Sequence, residues 1–251
     1  MTITDHYPGP QVQLFGVHID ALDAGQTLDR AFELADRGVP SQHVVLNASK
    51  VVQMDADEQL REIIDGCDLV NADGASVVWA SRLLGRPLPE RVAGVDLFTA
   101  IVERAASTGH RLYFLGATDE VLDEMIRRLR KRHPGIQICG TRNGNWSDDG
   151  EVIDAIRMAS PDFLFLAIPS PRKEYWLHQH LGDLGVPFVM GVGGSFDVLA
   201  GKVRRAPVWV QRIGCEWLYR LCQEPRRMWK RYLVGNTKFL GLTAREWRRM
   251  R

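Results

Sequence analysis

Nearly every short apolar run in this sequence ends on residues that could do chemistry. Asn47 follows the run 43–46, Asp73-Gly74 follows 67–72, and Gly116-Ala117-Thr118 follows 111–115. Gly140 to Trp146 follows 136–139, and Gly193-Gly194-Ser195-Phe196-Asp197 follows 188–192. A carboxylate such as Asp73 can take a proton from an attacking hydroxyl; the bland alternative is a tight turn or a helix cap. Gly191, Gly193 and Gly194, between a strand and a helix, can offer backbone N–H groups to an anion such as pyrophosphate. The G-x-x-x-x-G-K-[ST] spacing of a nucleoside triphosphatase is absent.

Three other clusters read differently. Asp55-Ala56-Asp57 has the donors for Mg²⁺ or Mn²⁺ against a nucleotide-sugar pyrophosphate, but it also introduces an amphipathic helix over 58–65, where acids cap free N–H groups. Capping is the favoured reading, with no metal site expected. His178 and His180, two apart on a helix, cannot share a ligand face, and no Cys/His spacing suggests zinc. Asp148-Asp149-Gly150 is read as a helix cap.

The elements that must position these residues follow from patterning. The runs 43–46, 67–72, 111–115, 136–139, 163–168 and 188–192 are too short for helices and predict buried strands. Between them, 57–65, 75–84, 95–107, 119–132, 151–159 and 171–184 carry apolar residues at helical spacing, such as Val121, Met125 and Leu129. Gly66, Gly85, Gly109 and Gly135 stand where helix ends need them. Strand and helix in alternation predict an α/β, Rossmann-like fold with a mostly parallel sheet flanked by helices, spanning residues 1–201. In such a sheet the ligand sits outside the carboxyl ends of the strands, where the polar and glycine-rich residues fall.

Composition bounds the function. The 251 residues are 45% hydrophobic and 25% charged, which excludes a disordered or collagenous chain. A formal charge of +1 excludes a uniformly basic nucleic-acid binder. There is no stretch of 18 apolar residues and no recognisable leader, so a cytoplasmic location is expected. The four cysteines form no C-x-x-C pair and read as reduced thiols.

The balanced charge conceals an asymmetry. Residues 202–251 carry 14 Lys/Arg against three acids and hold four of the seven tryptophans. Val210, Ile213, Gly214, Trp217, Leu218 and Leu221 make one stripe of a helix, with Arg212, Glu216 and Arg220 as an i,i+4 ladder on the other face. Pro225 starts a second helix, which Gly235 is expected to stop, and a last basic stretch runs from Lys238. This basic, amphipathic helical appendage over 202–251 suits an anionic membrane surface; equally, its stripe could pack on the main domain or against a second copy, making a homo-oligomer.

Several segments together resemble a known family. They are Asn47; Asn71-Ala-Asp73-Gly74 with Val77-Val78-Trp79-Ala80; Glu90 to Asp96; Phe114-Leu115-Gly116-Ala117; Pro169 to Glu174; Gly191 to Gly201; and Arg204 to Pro207 through Glu216 to Leu221 and Glu224 to Arg227. In order and type these are similar to the WecG/TagA/CpsF glycosyltransferases, over residues from about 14 to 240. The resemblance implies an inverting, metal-independent transfer of a sugar from a UDP-sugar to a polyprenyl-pyrophosphate-linked sugar, at the cytoplasmic membrane face, in cell-surface polysaccharide or teichoic-acid synthesis. It requires no cofactor beyond the UDP-sugar substrate.

Carried over by position, Asp73 matches the general base and Arg91 the residue that neutralises the departing UDP, with Asn47 in the same pocket. Gly116, Gly144, Asn145, Val192, Gly193 and Asp197 fall where the family holds the nucleotide, and Arg220, Arg227 and Lys230 match an appendage that closes over the site. Two departures bear on the donor sugar. Val45 replaces a threonine of many relatives, and Lys173 replaces the glutamine of a Pro-Lys-Gln-Glu motif, adding either a cation near a pyrophosphate or a surface salt bridge. Two other functions compete: a metal-dependent transferase using Asp55 and Asp57, and a nucleotide-binding peripheral membrane module without turnover.

Overall fold

The computed structural model describes residues 9–212, 216–223 and 225–250; the side chains of 208, 212, 220 and 225–234 lie outside that description. A hairpin of β1 (Gln11–Leu14) and β2 (Val17–Asp20) opens the chain, followed by α1 (Ala24–Asp36), β3 (Ser41–Leu46), α2 (Ala48–Ala56), α3 (Glu58–Asp65) and β4 (Leu69–Ala72). Next come α4 (Ala75–Leu83), α5 (Gly94–Thr108), β5 (Arg111–Gly116), α6 (Asp119–Arg132), β6 (Gln137–Arg142), α7 (Asp149–Ala159) and β7 (Phe163–Ala167). The rest are α8 (Arg172–Leu184), β8 (Phe188–Gly191), the short α9 (Ser195–Leu199) and α10 (Val208–Arg212), α11 (Glu216–Gln223) and α12 (Pro225–Arg249).

The six predicted strands form one sheet in the order β4-β3-β8-β7-β5-β6, with every pairing parallel. Both faces are covered, as a parallel sheet requires. Phe114, Phe163, Phe165 and Phe188 on one face meet Phe32 of α1, Phe98 of α5, Met125 of α6 and Phe196 of α9. On the opposite face, Val44, Leu46, Val70 and Ala72 meet α2, α3 and α4, while Leu164, Leu166 and Val189 meet α7 and α8.

One consequence of this topology sets the site. Adjacent strands β3 and β8 send their chains to opposite faces, into α2 and α9. A crevice must open between their carboxyl ends, the place where open α/β sheets bind ligands.

The C-terminal region departs from expectation at one described position. Gly235 does not stop a helix: α12 continues through it to Arg249, because an interior glycine costs a helix only about 1 kcal/mol. The stripe expected as one helix from Val210 to Leu221 is described as α10 and α11, with 213–215 outside the described residues. The packing and interfacial readings of this tail both find residues. Phe239 is buried in the core with Val51 and Met54 of α2, while Trp209, Leu240 and Trp247 are exposed. Among the described residues, no helix is long and apolar enough to cross a membrane.

Candidate active site

Asp73 stands one residue beyond β4. Its own N–H donates to the Leu46 carbonyl at 2.9 Å, which ties it to the end of β3. Its Oδ1 accepts from Gly94 N–H, the first residue of α5, at 3.3 Å. Between these elements, Val92 N–H donates to the Ala72 carbonyl at 2.9 Å, so the chain carrying Arg91 is drawn alongside the strand end. Arg91 Nε then lies 3.9 Å from Asp73 Oδ1, beyond hydrogen-bond reach, and this buried N–H has no hydrogen-bond partner among the described residues.

Asn47 caps α2. Its Oδ1 accepts from Lys50 N–H at 3.1 Å, leaving the amide nitrogen as its remaining donor. A Cβ on Gly74 would stand 3.3 Å from Asn47 Cβ, so the two strand ends touch. The expected pocket of Asn47, Asp73 and Arg91 is brought together.

The floor of the crevice is charged, which one sequence cannot reveal. Lys173 is 8% exposed rather than a surface residue. Its stem lies across β8, where a Cβ on Gly191 would come within 2.9 Å of Lys173 Cδ, so Gly191 makes room for it. Nζ donates to the Gly191 carbonyl at 3.2 Å and lies 3.7 Å from Glu174. Glu174 in turn accepts from the buried Lys50 Nζ at 2.6 Å. Burial, followed by the charge of Lys50, pushes Lys173 down to about 8, while Glu174 and Asp73 pull it back. Burial alone would raise Glu174, but the two lysines carry its carboxyl below the usual range.

His43 lies beneath the same strands, donating from Nε2 to Asn71 Oδ1 at 3.1 Å. Burial, with repulsion from Lys50 and Lys173, brings it down to about 3, so it is neutral and serves to position Asn71 rather than to carry protons.

The remaining candidates occupy the same end of the sheet, further along. Val192 N–H donates to the Leu166 carbonyl at 2.9 Å, and Gly193 turns with φ +54°. The helix beyond, α9, has five residues and carries Asp197 in its first turn. Gly116, at φ +116°, packs so tightly on β7 that a Cβ would come within 2.5 Å of the Ala167 carbonyl oxygen. Gly144 N–H donates to the Ala117 carbonyl at 2.8 Å, and Asn145 is exposed on that loop. With strands about 4.8 Å apart, the β5 and β6 loops stand about 15–20 Å from the β3 end. Arg220, Arg227 and Lys230 lie on α11 and α12, and their side chains are outside the described residues.

The acidic pair Asp55 and Asp57 is engaged elsewhere. Asp57 caps α3 through Leu60 N–H and accepts from the Tyr175 hydroxyl at 2.7 Å. Asp55 pairs with Arg245 of α12. Among the described residues no group of three or more His, Cys, Asp or Glu is placed to hold a metal ion.

Glu216 was misplaced by its periodicity. It is buried rather than solvent-facing, 2.6 Å from Arg91 Nη2 and 3.4 Å from Arg205 Nε. Arg205 is itself held by both oxygens of Asp96, with Nη2–Oδ2 at 2.7 Å.

A model of the Glycosyl transferase WecG/TagA/CpsF family matches residues 12–251. An N-acetylglucosaminyldiphosphoundecaprenol N-acetyl-beta-D-mannosaminyltransferase of Bacillus spizizenii (strain ATCC 23059 / NRRL B-14472 / W23) is 39% identical over 171 residues, covering 68% of this chain and 66% of that protein. Proteins of the same name from Bacillus subtilis (strain 168) and Staphylococcus aureus (strain MW2) are 34% identical over 70% of this chain and 28% identical over 96% of it, covering 69% and 94% of their own lengths. The motifs that line the switch-point crevice fall inside the family match, and the chain therefore belongs to the WecG/TagA/CpsF family of glycosyltransferases.

Proposed function

We propose that this chain transfers N-acetylmannosamine from a UDP-linked donor to the N-acetylglucosamine of a polyprenyl-diphosphate acceptor, with inversion and without a metal ion. The observation that carries the reading is the pairing, in one crevice, of the Asp73 carboxylate with an Arg91 N–H 3.9 Å away that has no hydrogen-bond partner among the described residues. The relatives' name supplies donor sugar, acceptor and a β-linked product, which from an α-linked nucleotide sugar requires one inversion.

In that step an acceptor hydroxyl oxygen attacks the anomeric carbon as its proton passes to Asp73. The bond from that carbon to the diphosphate oxygen breaks, and its electron pair leaves on UDP. Arg91 and Lys173 supply the positive charge that such a leaving group needs. Gly193 and Asp197 lie along the route of the diphosphate, and the Gly116, Gly144 and Asn145 loops lie where the nucleoside would extend. The exposed tryptophans of the tail and the basic Arg220, Arg227 and Lys230 would meet the lipid acceptor at the inner membrane face, the protein being peripheral and cytoplasmic.

The test is UDP release from UDP-N-acetylmannosamine with N-acetylglucosaminyl-diphosphate-polyprenol in detergent and EDTA. Acceptor-dependent release is expected. Release only with Mn²⁺ would favour a metal-dependent transferase, and UDP binding without release from any acceptor would favour a non-catalytic module.

Lys173 adds a pH dependence. Its neighbours are Lys50, Glu174 and Asp73, and it loses its proton near pH 8. The donor kcat/KM should fall as pH rises above about 8, and Lys173→Gln should flatten that limb while lowering the plateau. A wild-type profile flat to pH 9.5 would remove Lys173 from donor binding. Stability moves the other way: the folded chain binds this proton less tightly than an unfolded lysine near 10.5, so its burden on folding is present below pH 8 and is relieved between 8 and 10.5.

A further inference from the structure

Five charged residues form an alternating chain from the core into the C-terminal helices. Asp96 at the start of α5 holds Arg205; Arg205 meets Glu216 at the start of α11; Glu216 meets Arg91; and Arg91 faces Asp73. The Arg91–Glu216 link joins residues 125 apart and is the shortest of these for which Arg91 is a partner, at 2.6 Å against 3.9 Å to Asp73. Both side chains are largely shielded, at 20% and 11% exposure, so the pair is held in a medium where geometry matters more than at a surface.

We propose that Glu216 is a positioning residue for sugar transfer, holding the Arg91 guanidinium beside Asp73 without letting it close onto that carboxylate. The inference rests on the roles assigned above to Asp73 and Arg91. A guanidinium is planar and presents its N–H groups in a rigid fork. Anchoring Nη2 on Glu216 therefore fixes the direction of the Nε edge. Arg205, pinned by Asp96, braces the second oxygen of Glu216, so the anchor is itself held from behind. Without the anchor, Arg91 is 3.9 Å from an opposite charge and has no other ion-pair partner among the described residues, and a closed Arg91–Asp73 pair removes both the cation from the diphosphate and the base from the acceptor hydroxyl. Docking of α11 thereby becomes a condition for a competent base and a competent cation. The i,i+4 spacing with Arg212 and Arg220 had suggested only a solvated ladder for this residue.

A double-mutant cycle tests this, using UDP release from the lipid-linked pair and thermal unfolding of each variant. Glu216→Gln is expected to lower kcat at least tenfold with donor KM within about threefold, since the loss falls on the transition state. In an Arg91→Ala background the same change is expected to cost less than twofold, because its target is gone. Glu216→Asp, which keeps the charge on a shorter arm, should recover part of kcat; it also serves if Glu216→Gln does not fold. An equal loss in both backgrounds, or a loss that appears only in KM or in the unfolding midpoint, would mean that Glu216 is merely a tether and would overturn the proposal. Wild-type turnover in Arg91→Ala alone would instead remove Arg91 from the reaction, and the Glu216 assignment with it.

Discussion

Replacing Asp73 by asparagine should lower turnover by about 10³-fold, within the 10²–10⁴ range of a positioned general base, while UDP affinity stays within about twofold. Asparagine is close in shape, and its amide oxygen can still accept from Gly94 N–H, so the local fold that positions residue 73 is kept. What is lost is a group able to take the acceptor proton. Turnover by acceptor-dependent UDP release, with calorimetric titration of UDP, separates the two quantities. A turnover within tenfold of wild type would show that the proton leaves by another route. A parallel collapse of UDP affinity would place Asp73 in binding.

Arg91→Ala should lower kcat/KM by about 10²–10³-fold, the cost of removing one preorganised donor to developing charge. Arg91→Lys should recover less than a tenth of it. An ammonium cannot hold Glu216 while presenting a second N–H fixed in the same rigid plane, as a guanidinium does. UDP should also inhibit the Ala variant more weakly, since the same cation holds the product diphosphate. Stopped assays across donor concentrations, with UDP as competitor, measure both effects. Unaltered product inhibition beside a fallen kcat would put Arg91 on the acceptor side.

The strands were legible because each is a compact apolar run, and β3 to β8 fall where those runs lie. The hairpin of β1 and β2 was not, since four-residue strands with an alternating polar pattern carry little signal around Phe15-Gly16. Nor were α1 and α2. Asn47 stood out as a strand-end residue, and its second identity as the cap of α2 depended on a hydrogen bond to Lys50 N–H that no spacing discloses. Asp73 stood out by its place at a strand end, but Arg91 was found through family resemblance, because the two are 18 positions apart and it is the Val92–Ala72 and Gly94–Asp73 hydrogen bonds that make them neighbours. Lys50 and Glu174 were missed for the converse reason. A lysine and a glutamate 124 residues apart look like ordinary surface charges until α2 and α8 bring them together in the interior.

Helix α2 carries Asn47 at its head and is gripped by α12 along its length, through Phe239 and through an Asp55–Arg245 pair that spans 190 positions. Contacts so remote in sequence close large loops, and closure entropy delays them relative to the hairpin and the local helices. The order of assembly therefore has a functional edge. A chain that has already collapsed around its phenylalanines should be compact yet inactive, and activity during refolding should lag behind the burial of the core until the distant helix has landed.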